Sequence, residues 1–441
     1  MPGMRDAVAD LMRFIDRSPT PYHAVGETTR RLREAGFEPL DETEPWSLSP
    51  GDRRFVVRGD GSLVAFQAGR ASAVEAGFRV LGAHTDSPNL RIKPLADAEA
   101  HGYRQLAVEP YGGVLLHTWL DRDLSLAGRV ALRRQGGLPR SVLVDFGRPL
   151  LRIPSLAIHL HREVHQEGLK LNAQTHLAPV TGLEGAPRLP ELLASELRAH
   201  GHGDLRADDV VAYDLALYDV QPAAVCGVRG EFLTASRLDN LASCHASLCA
   251  LLDASESGPG ESTRMIILYD HEEVGSRSAQ GAGGTLLSDA LERVVSGWKG
   301  GEPQGLARAV ARSVLASVDM AHAVHPNYAD RHEPGHRPVI GRGPVLKRNA
   351  NQSYATDART AGLIQQLSEA AGAGLQHFVS RSDLACGSTI GPISAARVGI
   401  ATVDLGNPLL SMHSCREMAG TADVAPMLAL LTRFLDGVPR A

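Results

Sequence analysis

Cysteine is scarce in this chain: Cys226, Cys244, Cys249, Cys386 and Cys415 are the only five, and no two form a Cys-x-x-Cys pair. An odd, dispersed set argues against a disulfide framework and reads as reduced thiols in a cytoplasmic protein. Long hydrophobic runs are missing too, since none approaches the roughly 18 residues that a membrane span needs. There is no cationic excess. The formal net charge is −5, which leaves no basic footprint for nucleic acid. Met4 to Arg17 mixes Asp and Arg with Val8, Leu11, Met12 and Ile15, an amphipathic helical spacing rather than the unbroken apolar stretch of a signal peptide. Gly281, Gly283 and Gly284 after Gln280 stand in the wrong order for a dinucleotide fingerprint. No internal repeat or low-complexity tract is visible.

What is present is ordinary globular composition, 43% hydrophobic and 22% charged over 441 residues, enough for two or three domains. The pattern predicts a second helix from His23 to about Ala35, then a hairpin of Phe55–Val57 and Leu63–Phe66 around Arg58-Gly59-Asp60-Gly61-Ser62. Phe78–Ala83 reads as a buried strand ending at His84-Thr85-Asp86. From about Leu95 to Cys226 helical periodicity fades and short strand-like segments take over, such as Leu106–Val108, Gly128–Leu132 and Ser141–Asp145. This middle third reads as a β-rich domain (95–226) inserted into an α/β domain (1–94 and 227–441). The α/β pattern resumes with Leu241, Cys244, Leu248 and Leu251 at helical spacing, then a strand over Met265–Leu268. A helix through Leu306, Val310 and Val314 is expected before Ala316–Met320. Helix Leu363–Ala371, strand His377–Val379, the glycine-bearing loop Cys386–Pro392, a last strand Ile400–Leu405 and a closing helix Ala422–Leu435 complete the reading.

The chemistry gathers at strand ends. Met265-Ile266-Ile267-Leu268 runs into Glu272-Glu273, and Gly275 then breaks the pattern. Side chains alternate along a strand, so neighbouring glutamates can divide the work: one holds a metal while the other moves protons. His84, Asp239, Asp319 and His413 occupy comparable places. Imidazoles and carboxylates without thiolate suit a catalytic divalent site better than a structural zinc site, and two histidines with three carboxylates can hold two ions if one carboxylate bridges. Each residue has a duller reading. Asp239 is a helix N-cap by type and position. Asp319 is a turn former, and His413 a polar loop residue. His84 stands apart, because Asp86 can orient its imidazole. His159, His161 and His165 in the β-rich insert read as a polar strand face.

Gly82–Pro88, Arg237–Asn240, Tyr269–Ser276, Asp319–Tyr328 and Met412–Glu417 together resemble the signature segments of the aspartyl aminopeptidases, in the right order and from the first helix to the last. His271 is a departure, standing where Asn is expected. The resemblance implies a mixed-sheet zinc-aminopeptidase-like catalytic domain carrying an inserted β-rich dimerisation domain, assembled into a tetrahedral dodecamer. It implies two divalent ions, zinc with cobalt or manganese as alternatives. Asp239 would bridge them, with His84 and Asp319 completing one site and Glu273 and His413 the other. Glu272 would be the general base and Asp86 the orienter of His84. His322, Lys347 and Tyr354 would contact substrate, as would His159 reaching a neighbouring subunit's site and stabilising the oxyanion there. Expected substrates are peptides with a free N-terminal Asp or Glu, paired with the Lys347 ammonium. A preference for neutral apolar residues, a related deacylase or carboxypeptidase, and a non-catalytic metal-stabilised shell protein are the alternatives.

Overall fold

The computed structural model describes residues 4–298 and 303–437, so the outer limits 1–3 and 438–441 of the expected catalytic domain, and residues 299–302 within it, lie outside the described residues. The chain forms two compact units. The first comprises the chain up to Asp86, Ala223–Met412, and the chain from Glu417; the second comprises Ser87–Pro222 with His413–Arg416. The break at Ser87 falls earlier than the expected residue 95, which lies inside strand Asn89–Ala100. Asn89–Ala100 pairs with strands Tyr103–Tyr111 and Val210–Asp219 of the second unit, so the change comes before it, directly after Asp86.

In the first unit a nine-stranded mixed sheet runs in the order Glu38–Pro39, Arg53–Arg58, Ser62–Gln67, Thr263–Tyr269, Phe78–His84, Val314–Val318, Ala401–Gly406, Val345–Lys347, Gln376–Phe378. Thr263–Tyr269, Phe78–His84, Val314–Val318 and Ala401–Gly406 are parallel neighbours. Strands buried on both faces carry apolar residues without polar alternation. Ile266, Leu268, Leu81 and Ala83 enter one core with helices Pro21–Glu34, Leu238–Glu256, Ala358–Ala371 and Val424–Asp436. Met265, Ile267, Tyr269, Phe78 and Val80 enter another with Leu286–Gly297 and Ile390–Val398. With both faces covered, the open place is the carboxyl end of the parallel strands, where α/β sheets bind ligands.

Three local readings change. Val314 belongs to strand Val314–Val318 and not to the preceding helix, which ends at Val310. Ser313 makes the switch, its hydroxyl donating to Ala309 O at 2.7 Å and accepting from Phe78 N–H at 2.8 Å. The strand ending at Gly406 is not the last, because Pro408–Leu410 and Glu417–Gly420 follow in a separate five-stranded sheet. Pro408 at the first position of its strand masked it, although a proline there loses no ladder bond. At Asp239 (φ −83°, ψ 103°) and Asn240 (φ −127°, ψ 28°) the backbone departs from helical values, so Asp239 does not act as a simple cap.

The second unit is a six-stranded antiparallel sheet, ordered Arg140–Asp145, Leu124–Leu132, Val210–Asp219, Asn89–Ala100, Tyr103–Tyr111, Val180–Leu183. Helix Leu189–Ala199 seats Leu189, Leu193 and Leu197 in its core beside Val130, Leu215 and Leu217. Leu193→Ala is expected to cost about 2–5 kcal/mol, the range for a buried leucine that leaves a cavity; urea unfolding followed by circular dichroism measures it. His159, His161 and His165 lie on no strand. His159 sits in a single 3-10 turn, Ile158–Leu160, and His165 in a short helix, Val164–Glu167. The nearest pairing is the bridge of Arg152 with Val180; beyond it, among the described residues, no ladder partner holds this segment extended.

Candidate metal centre

Each candidate in the first unit arrives at the end of an apolar strand or helix. His84 is the last residue of Phe78–His84, opposite Tyr269 in the parallel register. The chain leaves Tyr269 through His271 in a left-handed conformation (φ 63°), forms the short turn Glu272–Val274 and exits through Gly275 (φ 92°). A left-handed entry suits Asn above most residues, which is the physical content of the Asn expected there. His271 holds the conformation with its N–H on Asp270 Oδ1 at 2.8 Å and its Nδ1 2.8 Å from Ser278 Oγ.

Asp86 holds the glutamate turn. Its Oδ1 accepts from Glu272 N–H at 3.1 Å and its Oδ2 from Glu273 N–H at 3.0 Å. The same residue meets His84 chiefly through its backbone: His84 Nδ1 is 3.0 Å from Asp86 O and 3.4 Å from Oδ1. That leaves His84 Nε2 facing the other carboxylates, 3.5 Å from Asp239 Oδ1 and 3.4 Å from Asp319 Oδ1. Asp319 follows Val314–Val318 directly and is tied by its N–H to Leu405 O at 2.9 Å. Asp239 is anchored through its N–H to Glu417 Oε2 at 2.9 Å. Sequence reasoning gave the buried Glu417 no role. Its place in the Met412–Glu417 segment was the available signal.

Two ligand atoms each at 2.0–2.1 Å from a tetrahedral ion stand about 3.3–3.4 Å apart. The His84–Asp239 and His84–Asp319 separations match that spacing and exceed hydrogen-bond distance. His84, Asp239 and Asp319, and separately His84, Glu272 and Glu273, each bring one donor atom within 4.8 Å of the others. A further cluster in this unit, Asp10, His245 and Cys249, fails the same comparison. His245 Nε2 lies 2.8 Å from Asp10 Oδ2, which also accepts from Arg31 at 2.7 Å, so it is a hydrogen-bonded ion network.

Electrostatics agree with a cation at the first cluster. Burial pushes the Glu272 carboxyl up to about 7; His84 opposes this, and Asp319, Asp86 and Asp239 add to it. Burial and then Asp239 raise Glu273 well above the carboxylate range. Burial alone would lower His84, but its contacts with Asp239, Asp319 and Asp86 hold it well above its usual value. Several carboxylates out of water around one imidazole are unfavourable without added positive charge. A divalent ion supplies it, and the oxygen and nitrogen donors suit zinc.

Beside Asp319 lies Lys347, buried at 1% exposure on strand Val345–Lys347. Its ammonium donates to Asp319 Oδ2 at 3.2 Å and Met320 O at 3.1 Å and stands 5.1 Å from the Tyr354 ring centre. Phe378 meets both Tyr354 (6.3 Å) and His322 (5.7 Å) edge-on. His322 keeps solvent access, yet the protein packed around it and the Lys347 ammonium lower its pKa. The first unit therefore gathers His84, Asp86, Asp239, Glu272, Glu273 and Asp319, with Lys347, Tyr354 and His322 in the same unit. His413 and His159 belong to the second unit. His413 Nδ1 lies 3.1 Å from Gly113 O there, and His159 is exposed.

The sequence pattern described as "Aminopeptidase I zinc metalloprotease (M18)" matches residues 14–435. This chain belongs to the M18 family. It is a zinc-dependent aminopeptidase. Relatives named "Probable M18 family aminopeptidase 2" include one from Pseudomonas entomophila, 47% identical over 98% of both chains, and one from Stutzerimonas stutzeri, 48% identical with the same coverage. Among solved structures, the one described as the Ape4 and Nbr1 complex has a TM-score of 0.94 at 38% identity, covering 98% of this chain and 86% of that one. The S. cerevisiae mApe1 dodecamer has a TM-score of 0.85 at 31% identity, covering 98% and 97%. The M18 fold thus accounts for the mixed α/β unit and the β-rich unit alike. Among the described residues no helix is long and apolar enough to cross a membrane.

Proposed function

We propose that this M18 enzyme removes acidic N-terminal residues from peptides at a dinuclear site. The observation that carries the acidic preference is the buried Lys347 ammonium beside Asp319, because a desolvated cation near the reacting centre favours a substrate carboxylate. Asp239 would bridge two zinc ions, with His84 and Asp319 on one and Glu273 and His413 on the other. Zinc, when bound, supplies Lewis-acid polarisation of the water and of the scissile carbonyl.

The chain's own residues do the rest. Glu272 accepts a proton from the attacking water and delivers it to the departing amine nitrogen. Its place on the turn held by Asp86, next to Glu273 and in one cluster with His84, suits a group that takes and returns that proton. Asp86 holds the turn so that Glu272 and Glu273 keep separate tasks. His322 and Tyr354 line the residue pocket with Lys347, and His159 of a neighbouring subunit donates to the oxyanion of the tetrahedral intermediate.

That last role requires an assembly. The second unit exposes Leu95, Leu138, Leu156 and Leu160 at 94%, 85%, 62% and 74%, apolar surface that copies of the chain would cover. The β-rich unit is accordingly proposed as the dimerisation element of a tetrahedral dodecamer, and cysteines that form no disulfide among the described residues suit a cytoplasmic location. Light scattering should give a mass about twelve times the 47.0 kDa protomer.

A panel of Asp-, Glu- and Leu-aminoacyl anilides tests the specificity. The acidic anilides should turn over best, and Lys347→Met should lower their kcat/KM by about 10²-fold, the scale of a lost charge-assisted contact, while sparing the leucyl one. Superior cleavage of the leucyl anilide by the unaltered enzyme would replace the acidic assignment with an apolar one, for which Tyr354 and Phe378 supply the walls.

A further inference from the structure

We infer that Asp404, which joins none of the metal-ligating groups, decides which N-terminal residue the site accepts by holding the two loops that wall the residue pocket. The inference rests on the reading of Lys347, Tyr354 and His322 given above, and it makes Asp404 a positioning residue. Asp404 lies in strand Ala401–Gly406, wholly out of solvent, opposite Lys347 in the antiparallel register. Burying a carboxylate is costly unless its oxygens are satisfied.

Here they are satisfied by two separate loops. Oδ2 accepts from Ala355 N–H at 2.6 Å, and Oδ1 accepts from Thr389 Oγ1–H at 2.6 Å. The Asp404 N–H donates in turn to Thr356 Oγ1 at 2.9 Å. Ala355 and Thr356 follow Tyr354 directly, so Asp404 fixes the backbone that presents the Tyr354 ring to the Lys347 ammonium. Thr389 lies three residues beyond Cys386, whose side chain packs against the Tyr354 and Phe378 cluster. At Gly391 a Cβ would come within 2.4 Å of Asp404 Oδ1, so the turn lies directly on the carboxylate. One buried group thereby sets the separation between Tyr354 and the Cys386 side chain packed against its cluster. The glycine-bearing loop Cys386–Pro392 had no task in the sequence, and this juxtaposition gives it one.

The test uses the zinc-loaded enzyme with Asp-, Glu- and Leu-aminoacyl anilides. Thr389→Val removes one of the two holds and leaves the buried charge in place. It should raise KM for the preferred anilide about tenfold, the low end of the range for a hydrogen bond to a charged group, because the lost bond acts on the substrate only through the loop. The ratio of kcat/KM between acidic and leucyl substrates should narrow by about the same factor, with kcat and zinc content unchanged. Thr389→Ser should restore both. Asp404→Asn, which keeps an acceptor for Ala355 N–H, should move the ratio in the same direction by less. A fall in kcat with an unmoved ratio, or a KM rise equal for all substrates, would overturn the inference. Tyr354→Leu separates the two levels. If it moves the ratio and Thr389→Val does not, only the role of Asp404 falls. If Tyr354→Leu leaves the ratio unmoved, the pocket reading falls and takes the inference with it.

Discussion

Glu272→Gln leaves the zinc content of the purified enzyme intact and lowers kcat by about 10²–10⁴-fold, the contribution of a positioned general base. The amide keeps the shape of the side chain. It also keeps the Glu272 N–H on Asp86 Oδ1, so the turn is undisturbed. What it removes is a basic oxygen. Metal analysis of the variant beside anilide turnover separates the possibilities. Loss of zinc together with activity would make Glu272 a ligand, and turnover near that of the unaltered enzyme would end its role altogether.

Asp239→Asn should be at least as damaging. The proposed bridge depends on two anionic oxygens, and an amide offers one neutral oxygen and a donor nitrogen in their place. The variant should hold at most one zinc per chain after dialysis, with turnover below about 10⁻³ of the unaltered enzyme, on the scale of lost metal activation. Chelation should silence the unaltered enzyme just as fully, and zinc add-back should revive it while leaving Asp239→Asn inactive. A variant retaining two zinc ions and activity would dismiss the bridge. Asp239 is a clean target because its backbone is anchored independently, by Glu417.

Some of this molecule could be seen in its residues and some could not, for a physical reason. Strands such as Thr263–Tyr269 and Phe78–His84 are buried on both faces, so they appear as apolar runs, and the acid or imidazole at the end of each run stands out against them. His84, the Glu272–Glu273 pair and Asp319 were visible for that reason. Apart from Asp86 beside His84, the supports of these residues were not. The Asp86 carboxylate reaches amides 186 and 187 residues away, Glu417 reaches back 178, and Asp404 spans 49 to Ala355. Hydrogen bonds between distant segments leave no periodicity to read. Short pieces failed in a different way. Pro408–Leu410 is only three residues long, and Val314 fits a helical spacing by chance until pairing with Ala401 and Arg79 claims it for the sheet. The segment around His159 looked extended because its polar pattern is equally compatible with a single helical turn.

Asp86 also bears on how this region can change over generations. Its backbone carbonyl meets an imidazole while its carboxylate steadies the two glutamates, so one residue touches both arms of the chemistry. Damage there and damage at His84 would overlap rather than accumulate, and a double variant would be scarcely worse than either single one. Drift at either position is therefore chained to the other, and repair by a lone substitution elsewhere has little purchase.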